Sequence, residues 1–276
     1  MKPIAIDLFC GLGGWTEGLL AEGYHVIGFD IERHEYGDQK YPGSLVIQNV
    51  LTLHGSQFKD AVLIVASPPC QEYSYMAMPW SLAKVKAKAI RADTTGAALE
   101  KLNRLFHACF RIQAEASLAA GSHIPMVVEN VRGAIPWVGR SRWNFGSFHF
   151  WGDVPALMPP EFNGHKVPSF RFDGSGKSFQ SASVERLGIK VASQNNIKDG
   201  YPHTRRLINP FERDGVKNGW DWFSGYGGGF GWDSSPMRRN SSKSSGRKAA
   251  SAMIAKIPLL VSRHIARVYK PLEDKK

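Results

Sequence analysis

The chain of 276 residues carries 35 Lys and Arg against 24 Asp and Glu, a formal net charge of +11 at pH 7. This charge favours a polyanionic partner, most simply a nucleic acid, over a small metabolite, with a merely soluble basic surface as the alternative. We expect a cytoplasmic protein without a signal peptide, membrane span or metal site, because the apolar runs are short and the three cysteines are scattered.

The first two thirds of the sequence alternates strand-like and helix-like segments. Apolar runs predict strands at 4–9, 25–30, 45–50, 61–67 and 126–130. Helical spacing predicts a helix at 15–22, followed by Gly23, and a longer amphipathic helix from residue 99 to Gly121. This alternation predicts an α/β fold with a mostly parallel, Rossmann-like sheet and helices on both faces.

The composition changes after residue 150. Pro, Gly, Ser and aromatic residues become frequent there, and the clear helical periodicity is lost. We therefore expect a small loop-rich region at 151–246, placed between the two parts of a larger domain, 1–150 and 247–276. Helical character returns near the end of the sequence, where Pro258 marks a helix start.

A glycine-rich segment, Asp7-Leu8-Phe9-Cys10-Gly11-Leu12-Gly13-Gly14, follows the first predicted strand. Glycines at this point let the backbone approach a nucleotide-like ligand, and Asp30 ends the next strand where a carboxylate can bind ribose hydroxyls. The spacing differs from the dinucleotide fingerprint, and the sequence has no long Gly-x-x-x-x-Gly-Lys-Ser/Thr phosphate-binding loop. A cofactor without a pyrophosphate, S-adenosyl-L-methionine, fits this pattern.

Two further motifs follow buried strands. Pro68-Pro69-Cys70-Gln71-Glu72-Tyr73-Ser74 places a thiol after the fourth strand, and Glu129-Asn130-Val131 places a carboxyl at the end of the fifth. The carboxyl ends of parallel strands meet at one sheet edge, so this thiol and this carboxyl can meet there as nucleophile and acid. The alternatives are a buried structural cysteine and a carboxylate that caps a surface helix.

The three motifs, in this order, resemble those of the C5-cytosine DNA methyltransferases, most closely the small phage- or prophage-type members. Tyr73 stands where that family usually has Phe, and Arg140-Ser141-Arg142 is similar to the two arginines of its Gln-x-Arg-x-Arg motif. The resemblance implies an S-adenosylmethionine-dependent methyltransferase domain, with 151–246 as the target-recognition region. It also implies a bacterial or phage-infected cell.

The resemblance also implies roles for individual residues. Cys70 would add to C6 of a flipped-out cytosine, and Glu129 would contact the N3/N4 edge and stabilise protonation at N3. Arg140 or Arg142 would help to lower the pKa of the thiol. The cofactor would be bound by Asp7, Phe9, Gly11, Gly13, Asp30, Ile31, Asn49 and Pro68. DNA would be bound by Gln71, Ser74, Lys84, Arg238 and Arg239.

Several alternatives remain open at the level of sequence. The same chemistry could act on cytosine in RNA, such as tRNA, or the chain could be a catalytically silent nucleic-acid-binding paralogue. The basic segment 73–95 could be a mobile loop over double-stranded DNA or a solvated helix face. A monomer on DNA is the simplest expectation.

Overall fold

The computed structural model describes residues 2–36, 39–74, 80–158, 248, 252 and 255–271, with the backbone alone at residue 80. The strands are β1 (Ile4–Leu8), β2 (His25–Asp30), β3 (Glu35–Tyr36), β4 (Gln39–Lys40), β5 (Ser44–Ile47), β6 (Ala61–Ala66), β7 (Met126–Val131), β8 (Trp143–Phe145) and β9 (Phe148–Gly152). The α-helices are α1 (Gly14–Ala21), α2 (Trp80–Ala92), α3 (Ala97–Ala120), α4 (Ile135–Val138) and α5 (Leu259–Tyr269).

A seven-stranded sheet in the order β5-β2-β1-β6-β7-β9-β8 forms the centre of the fold. β5, β2, β1, β6 and β7 are mutually parallel, with Leu8 level with Phe29 on one side and with Ala66 on the other. The predicted Rossmann-like α/β class is therefore confirmed. The parallel strands bring the ends of β1, β2, β6 and β7 to one edge, where the three motifs of the sequence follow them.

The chain departs from the sequence prediction at two places in this sheet. The third strand, predicted at 45–50, is Ser44–Ile47, and Val50–Thr52 forms a 3₁₀ turn that begins where Asn49 Oδ1 accepts the Leu51 N–H at 3.0 Å. The antiparallel pair β8 and β9, which the sequence analysis did not predict, extends the sheet beyond β7. Its aromatic side chains enter the core, with Phe145 and Phe150 fully buried.

Helix α3 covers one face of the sheet. Its buried side chains include Phe106, Cys109 and Ile112, and the Phe106 ring meets Trp151 edge-on at 5.4 Å between centroids. The helix ends at Gly121, as predicted, and this glycine has the positive φ, 68°, that is common at helix C-termini.

Helices α1 and α5 pack tightly against each other. A Cβ at Gly18 would lie 2.2 Å from Ser262 Oγ, so only glycine permits this approach. Tyr24 donates a hydrogen bond of 2.8 Å to the Ala266 carbonyl, and Arg263 Nε lies 2.7 Å from Glu22 Oε1. Within the described part of the chain, no helix has both the length and the apolar character to cross a membrane.

The described residues of 2–34, 41–158 and 257–271 belong to one compact unit, which holds the sheet and all five helices. The short antiparallel pair of β3 and β4 is assigned outside this unit. The proposed target-recognition region, 151–246, lies almost entirely outside the described residues, so the domain division stays a prediction.

Candidate active site

The glycine-rich turn leaves β1 in a left-handed backbone conformation. Phe9, Gly11 and Gly13 have φ values of 58°, 51° and 78°. The turn is held by hydrogen bonds from the Cys10 N–H to the Phe29 carbonyl, 3.1 Å, and from the Gly13 N–H to the Cys10 carbonyl, 2.7 Å. A Cβ at Gly11 would meet nothing within 4 Å, so this part of the turn borders open space that a ligand can fill.

Asp30 lies at the end of β2 directly beside this turn. Its Oδ2 accepts the Gly11 N–H at 2.9 Å and its Oδ1 accepts the Ile31 N–H at 2.7 Å, with His34 Nε2 3.5 Å from Oδ1. Burial raises the pKa of Asp30, but the hydrogen bonds from His34 and Gly11 outweigh it and hold the pKa below its ordinary value. The carboxylate is therefore ionised at neutral pH, and the Ile31 side chain beside it is 69% exposed.

Asp7 lies inside the protein behind the turn. Its Oδ2 accepts a hydrogen bond of 2.6 Å from Thr16, whose hydroxyl is also 2.7 Å from the Tyr41 hydroxyl. Burial raises the pKa of Asp7 to about 7, opposed by the Thr16 hydrogen bond and supported by the charge of Asp30. Its Oδ1 has no hydrogen-bond partner among the described residues. Asp7 is fully buried, a position suited to supporting the turn from behind.

The Cys70 turn is closed by backbone hydrogen bonds and anchored on α3. The Cys70 carbonyl accepts the Tyr73 N–H at 3.0 Å and the Ser74 N–H at 2.9 Å. Tyr73 is buried, and its hydroxyl donates to Asn103 Oδ1 at 3.0 Å. Asn103 in turn donates to the Trp137 carbonyl at 2.8 Å. The residue that departs from the family's usual Phe thus connects the turn to α3 and α4.

Asn130 joins the second and third motifs. Its side-chain amide donates a buried hydrogen bond of 2.9 Å to the Pro68 carbonyl, and its Oδ1 accepts the Val131 N–H at 2.8 Å. Glu129, the preceding residue on β7, is only 8% exposed. The end of β7 is therefore bound directly to the segment that carries Cys70.

Cys70 and Glu129 interact electrostatically. Burial raises the pKa of Glu129 to about 8, and a hydrogen bond from the Ser67 side chain partly opposes this rise. Burial also raises the pKa of the Cys70 thiol to about 11, and the charge of Glu129 adds to the effect. Both groups are thus mainly protonated at neutral pH. The thiol has a higher pKa than the proposed catalytic role requires, because burial raises it and, above the pKa of Glu129, the carboxylate raises it further.

The structure places Arg140 and Arg142 on the surface, in the segment that leads into β8. The Arg142 N–H donates to the Phe150 carbonyl at 2.8 Å. Burial and Asp153 raise the pKa of Tyr269, and the positive charge of Arg142 acts against them. Arg142 thus lies near Tyr269, which hydrogen-bonds to the Asp153 carbonyl beyond the end of β9. The catalytic roles assigned to both arginines stay predictions.

The other predicted contacts are spread along the same sheet edge and α2. Pro68 is buried, Gln71 is exposed, Ser74 is half-buried, and Asn49 is exposed with its Oδ1 engaged in the turn after β5. Lys84 is exposed on α2, so the segment around it is helical at Trp80–Ala92. Arg238 and Arg239 lie outside the described residues.

Two residues at this site were not predicted from the sequence. Trp15, the second residue of α1, donates its indole N–H to Ser67 Oγ at 3.0 Å, and the Ser67 side chain hydrogen-bonds to Glu129. The position of Ser67, between a buried strand and the two prolines before Cys70, is a signal that could have singled it out. Nothing in the sequence pattern indicated Trp15.

Comparison with known proteins gives a match over the first part of the chain. Residues 4–112 match the family model described as C-5 cytosine-specific DNA methylase. This match is to a cytosine methyltransferase family. It supports the resemblance of the sequence motifs, a methyltransferase activity on cytosine, and S-adenosylmethionine as the cofactor, which that family uses. No curated protein matches the sequence.

Several solved structures resemble the chain at low identity. A prophage-encoded DNA modification methyltransferase candidate from E. coli is 21% identical, with 49% of this chain and 33% of that chain covered and a TM-score of 0.32. The Entamoeba histolytica methyltransferase EhMeth is 17% identical, with 50% and 41% covered and a TM-score of 0.31. The S. pombe Dnmt2 methyltransferase is 12% identical, with 97% and 98% covered and a TM-score of 0.42. The chain thus spans well under half of the first two proteins.

Proposed function

We propose that this protein is a DNA (cytosine-5-)-methyltransferase that acts through Cys70 and Glu129. The observation that carries this proposal is the junction at the sheet edge. Asn130 binds the Pro68 carbonyl, and the charge of Glu129 acts on the Cys70 thiol. A thiol nucleophile beside a carboxylic acid of raised pKa is the pair that attack on an electron-poor pyrimidine ring requires.

The residues around the glycine-rich turn fit S-adenosylmethionine. The ionised Asp30 carboxylate suits the ribose hydroxyls, the exposed Ile31 side chain suits the adenine face, and the open space at Gly11 admits the ligand against the backbone. Phe9 and Gly13 would form the rest of this surface. When bound, the cofactor supplies an electrophilic methyl group.

The chemistry of the chain's own residues follows from their protonation. The Cys70 thiol loses its proton to water and its sulfur adds to C6 of cytosine, while the neutral Glu129 carboxyl gives its proton to N3 and is left as a carboxylate. C5 thereby becomes nucleophilic and is methylated. A base then removes the C5 proton, the bond between C6 and sulfur breaks to release the Cys70 thiolate, and N3 returns its proton to Glu129. A neutral Glu129 also removes the charge that raises the pKa of the thiol.

Double-stranded DNA is the proposed substrate, and the net charge of +11 favours a nucleic acid. Lys84, Lys86, Lys88 and Arg91 are exposed along α2, the helix that follows the Cys70 segment. Such side chains bind phosphates without regard to sequence. Because C5 and C6 are inside the stacked duplex, the target base has to be flipped out before Cys70 can reach it. A single protein molecule per site is proposed.

The test is transfer of label from S-adenosylmethionine to unmodified genomic DNA or to tRNA, followed by digestion and identification of the labelled nucleoside. We expect 5-methylcytosine in DNA. Label in tRNA alone would move the substrate to RNA, and label in neither, with the cofactor still bound, would indicate a silent binding protein.

The same assay tests the two site residues. Cys70→Ala is expected to abolish transfer and to retain cofactor binding, whereas Cys109→Ala, a change at a buried thiol of α3, is expected to keep the activity. Glu129→Gln is expected to slow transfer at least a hundredfold, the scale of general acid catalysis. Normal turnover of Cys70→Ala would exclude the covalent mechanism.

A further inference from the structure

Ser67 occupies the position between β6 and the two prolines that precede Cys70. Its hydroxyl has two partners on different elements of the fold. The indole N–H of Trp15 on α1 lies 3.0 Å from Ser67 Oγ. Ser67 follows Ala66, which is level with Val128 in the pairing of β6 and β7, so Ser67 lies beside Glu129, and its side chain lowers the pKa of that carboxyl. One hydroxyl group therefore lies between the helix that follows the glycine-rich turn and the proposed catalytic acid.

The chemistry of the three groups fixes the direction of these hydrogen bonds. An indole N–H can only donate, so Ser67 Oγ is the acceptor of the bond from Trp15. The hydroxyl proton of Ser67 is then left for the Glu129 carboxyl. The bond to Ser67 favours the ionised form of Glu129, which is the effect expected when the hydroxyl donates to the carboxylate.

Packing fixes the positions of the same groups. Phe150 is level with Glu129 in the pairing of β7 and β9, and its ring meets the Trp15 ring edge-on at 5.9 Å. Trp15 is 2% exposed and Phe150 is fully buried. Glu129 therefore lies between Ser67 and Phe150 in the strand register, and both of these residues contact Trp15.

We propose that Ser67 and Trp15 are positioning residues for Glu129: Trp15 orients the Ser67 hydroxyl, and Ser67 holds the Glu129 carboxyl in the direction of the Cys70 turn. This inference rests on the proposed function for its catalytic meaning, but the hydrogen-bond relay itself concerns only residues of the protein. Ser67, which lies between β6 and Pro68, is thereby given a role in orienting the acid.

The test is a ¹³C NMR titration of the Glu129 side-chain carboxyl, identified by its loss in Glu129→Gln, in four variants. Ser67→Ala removes the donor and is expected to raise the pKa of Glu129 above that of the wild-type protein. Trp15→Phe removes the indole N–H and is expected to move the pKa in the same direction by a smaller amount. Ser67→Thr retains a hydroxyl and is expected to restore the wild-type value.

Trp151→Phe is the matched control, because Trp151 also donates an indole hydrogen bond, to the Gly139 carbonyl at 3.0 Å. It is expected to leave the pKa of Glu129 unchanged. An unchanged or lower pKa in Ser67→Ala would overturn the relay. If Ser67→Ala does not fold, Trp15→Phe decides, and a pKa equal to that of Trp151→Phe would overturn the proposal.

Enzyme kinetics separates this inference from the proposed function. In the methyl-transfer assay, Ser67→Ala is expected to lower kcat with little change in KM, because the substrate contacts remain. A pKa shift in a protein that transfers no methyl group would retain the relay and reject the function. Methyl transfer without any pKa shift in Ser67→Ala would retain the function and reject the relay.

Discussion

The Asn130 side-chain amide donates a hydrogen bond of 2.9 Å to the carbonyl of Pro68, a residue 62 positions earlier in the chain. Both groups are buried, and Asn130 Oδ1 is itself engaged by the Val131 N–H at 2.8 Å. The amide therefore has a single available orientation. It joins the strand that carries the acid to the segment that carries the thiol.

Asn130→Ala is expected to lower the free energy of unfolding by about 1–3 kcal/mol, the cost of leaving a buried polar group without its partner. Urea denaturation measures this loss. Asn144→Ala is the control, since Asn144 is exposed and its amide lies 3.4 Å from the Gly146 carbonyl. That change is expected to stay within about 0.5 kcal/mol of the wild-type protein. Equal losses in the two variants would contradict the assigned importance of the Asn130 bond.

Alkylation of Cys70 by iodoacetamide reports the electrostatic interaction with Glu129. The thiolate is the reactive form, so with a pKa of about 11 the rate is expected to rise about tenfold between pH 9 and 10, where Glu129 is already ionised. Glu129→Gln removes a charge that raises the pKa of the thiol, so alkylation at pH 9 is expected to become faster. Mass spectrometry of the Cys70 peptide distinguishes it from the buried Cys10 and Cys109.

Glu72→Gln is the control for this experiment. Glu72 is close to Cys70 in sequence, but its carboxylate is exposed and lies 2.9 Å from Lys86 Nζ. The alkylation rate is expected to match that of the wild-type protein. If Glu129→Gln also left the rate unchanged, the two groups would not interact as the structure indicates.

Gly11→Ala and Gly13→Ala separate backbone strain from steric clash in the glycine-rich turn. Both glycines have positive φ, so each change is expected to cost about 1–2 kcal/mol in strain. At Gly13 the added Cβ would also lie 2.6 Å from Pro42 Cδ, in a rigid ring, whereas at Gly11 it meets nothing within 4 Å. Thermal unfolding is therefore expected at a lower temperature for Gly13→Ala than for Gly11→Ala. The reverse order would be inconsistent with this packing.

Tyr73→Phe introduces the residue usual in the family and tests the connection to α3. It leaves Asn103 Oδ1 without its donor, and the free energy of unfolding is expected to fall by about 1–3 kcal/mol. A double-mutant cycle with Asn103→Ala is expected to show a coupling of about 0.5–3 kcal/mol, because the two side chains are in direct contact. Strict additivity of the two changes would show that the hydrogen bond does not contribute to stability.

The sheet was predictable because its central strands are buried on both faces. The run 25–30 was predicted as a strand and is observed as His25–Asp30, since a parallel strand covered by helices is apolar along its length. The positions of Asp30, Cys70 and Glu129 near strand ends followed from the same pattern. The hairpin of β8 and β9 was not predicted, because three- and five-residue strands rich in aromatics show no clear period.

The electrostatics and polar contacts of the site were much less accessible from sequence. A lowered pKa was required of Cys70, but burial and Glu129 raise it, and neither effect can be read without the tertiary structure. The bond from Trp15 to Ser67 joins residues 52 positions apart in the chain, and it depends on how α1 is placed against β6. Such contacts depend on how helices and strands pack against each other, and local sequence patterns do not encode this packing.

The packing of α5 on α1 has a consequence for synthesis of the chain on the ribosome. Tyr24 hydrogen-bonds to the carbonyl of Ala266, 242 residues later, and at about 5–20 residues per second this partner emerges on the order of 10–50 s after Tyr24 itself. Once Glu129 has been made, the nascent protein contains both Cys70 and Glu129, but α1 lacks its cover until α5 follows. A premature stop codon shortly before α5 would therefore yield a polypeptide that contains Cys70 and Glu129 but leaves α1 uncovered, which makes it a target for chaperones and proteases.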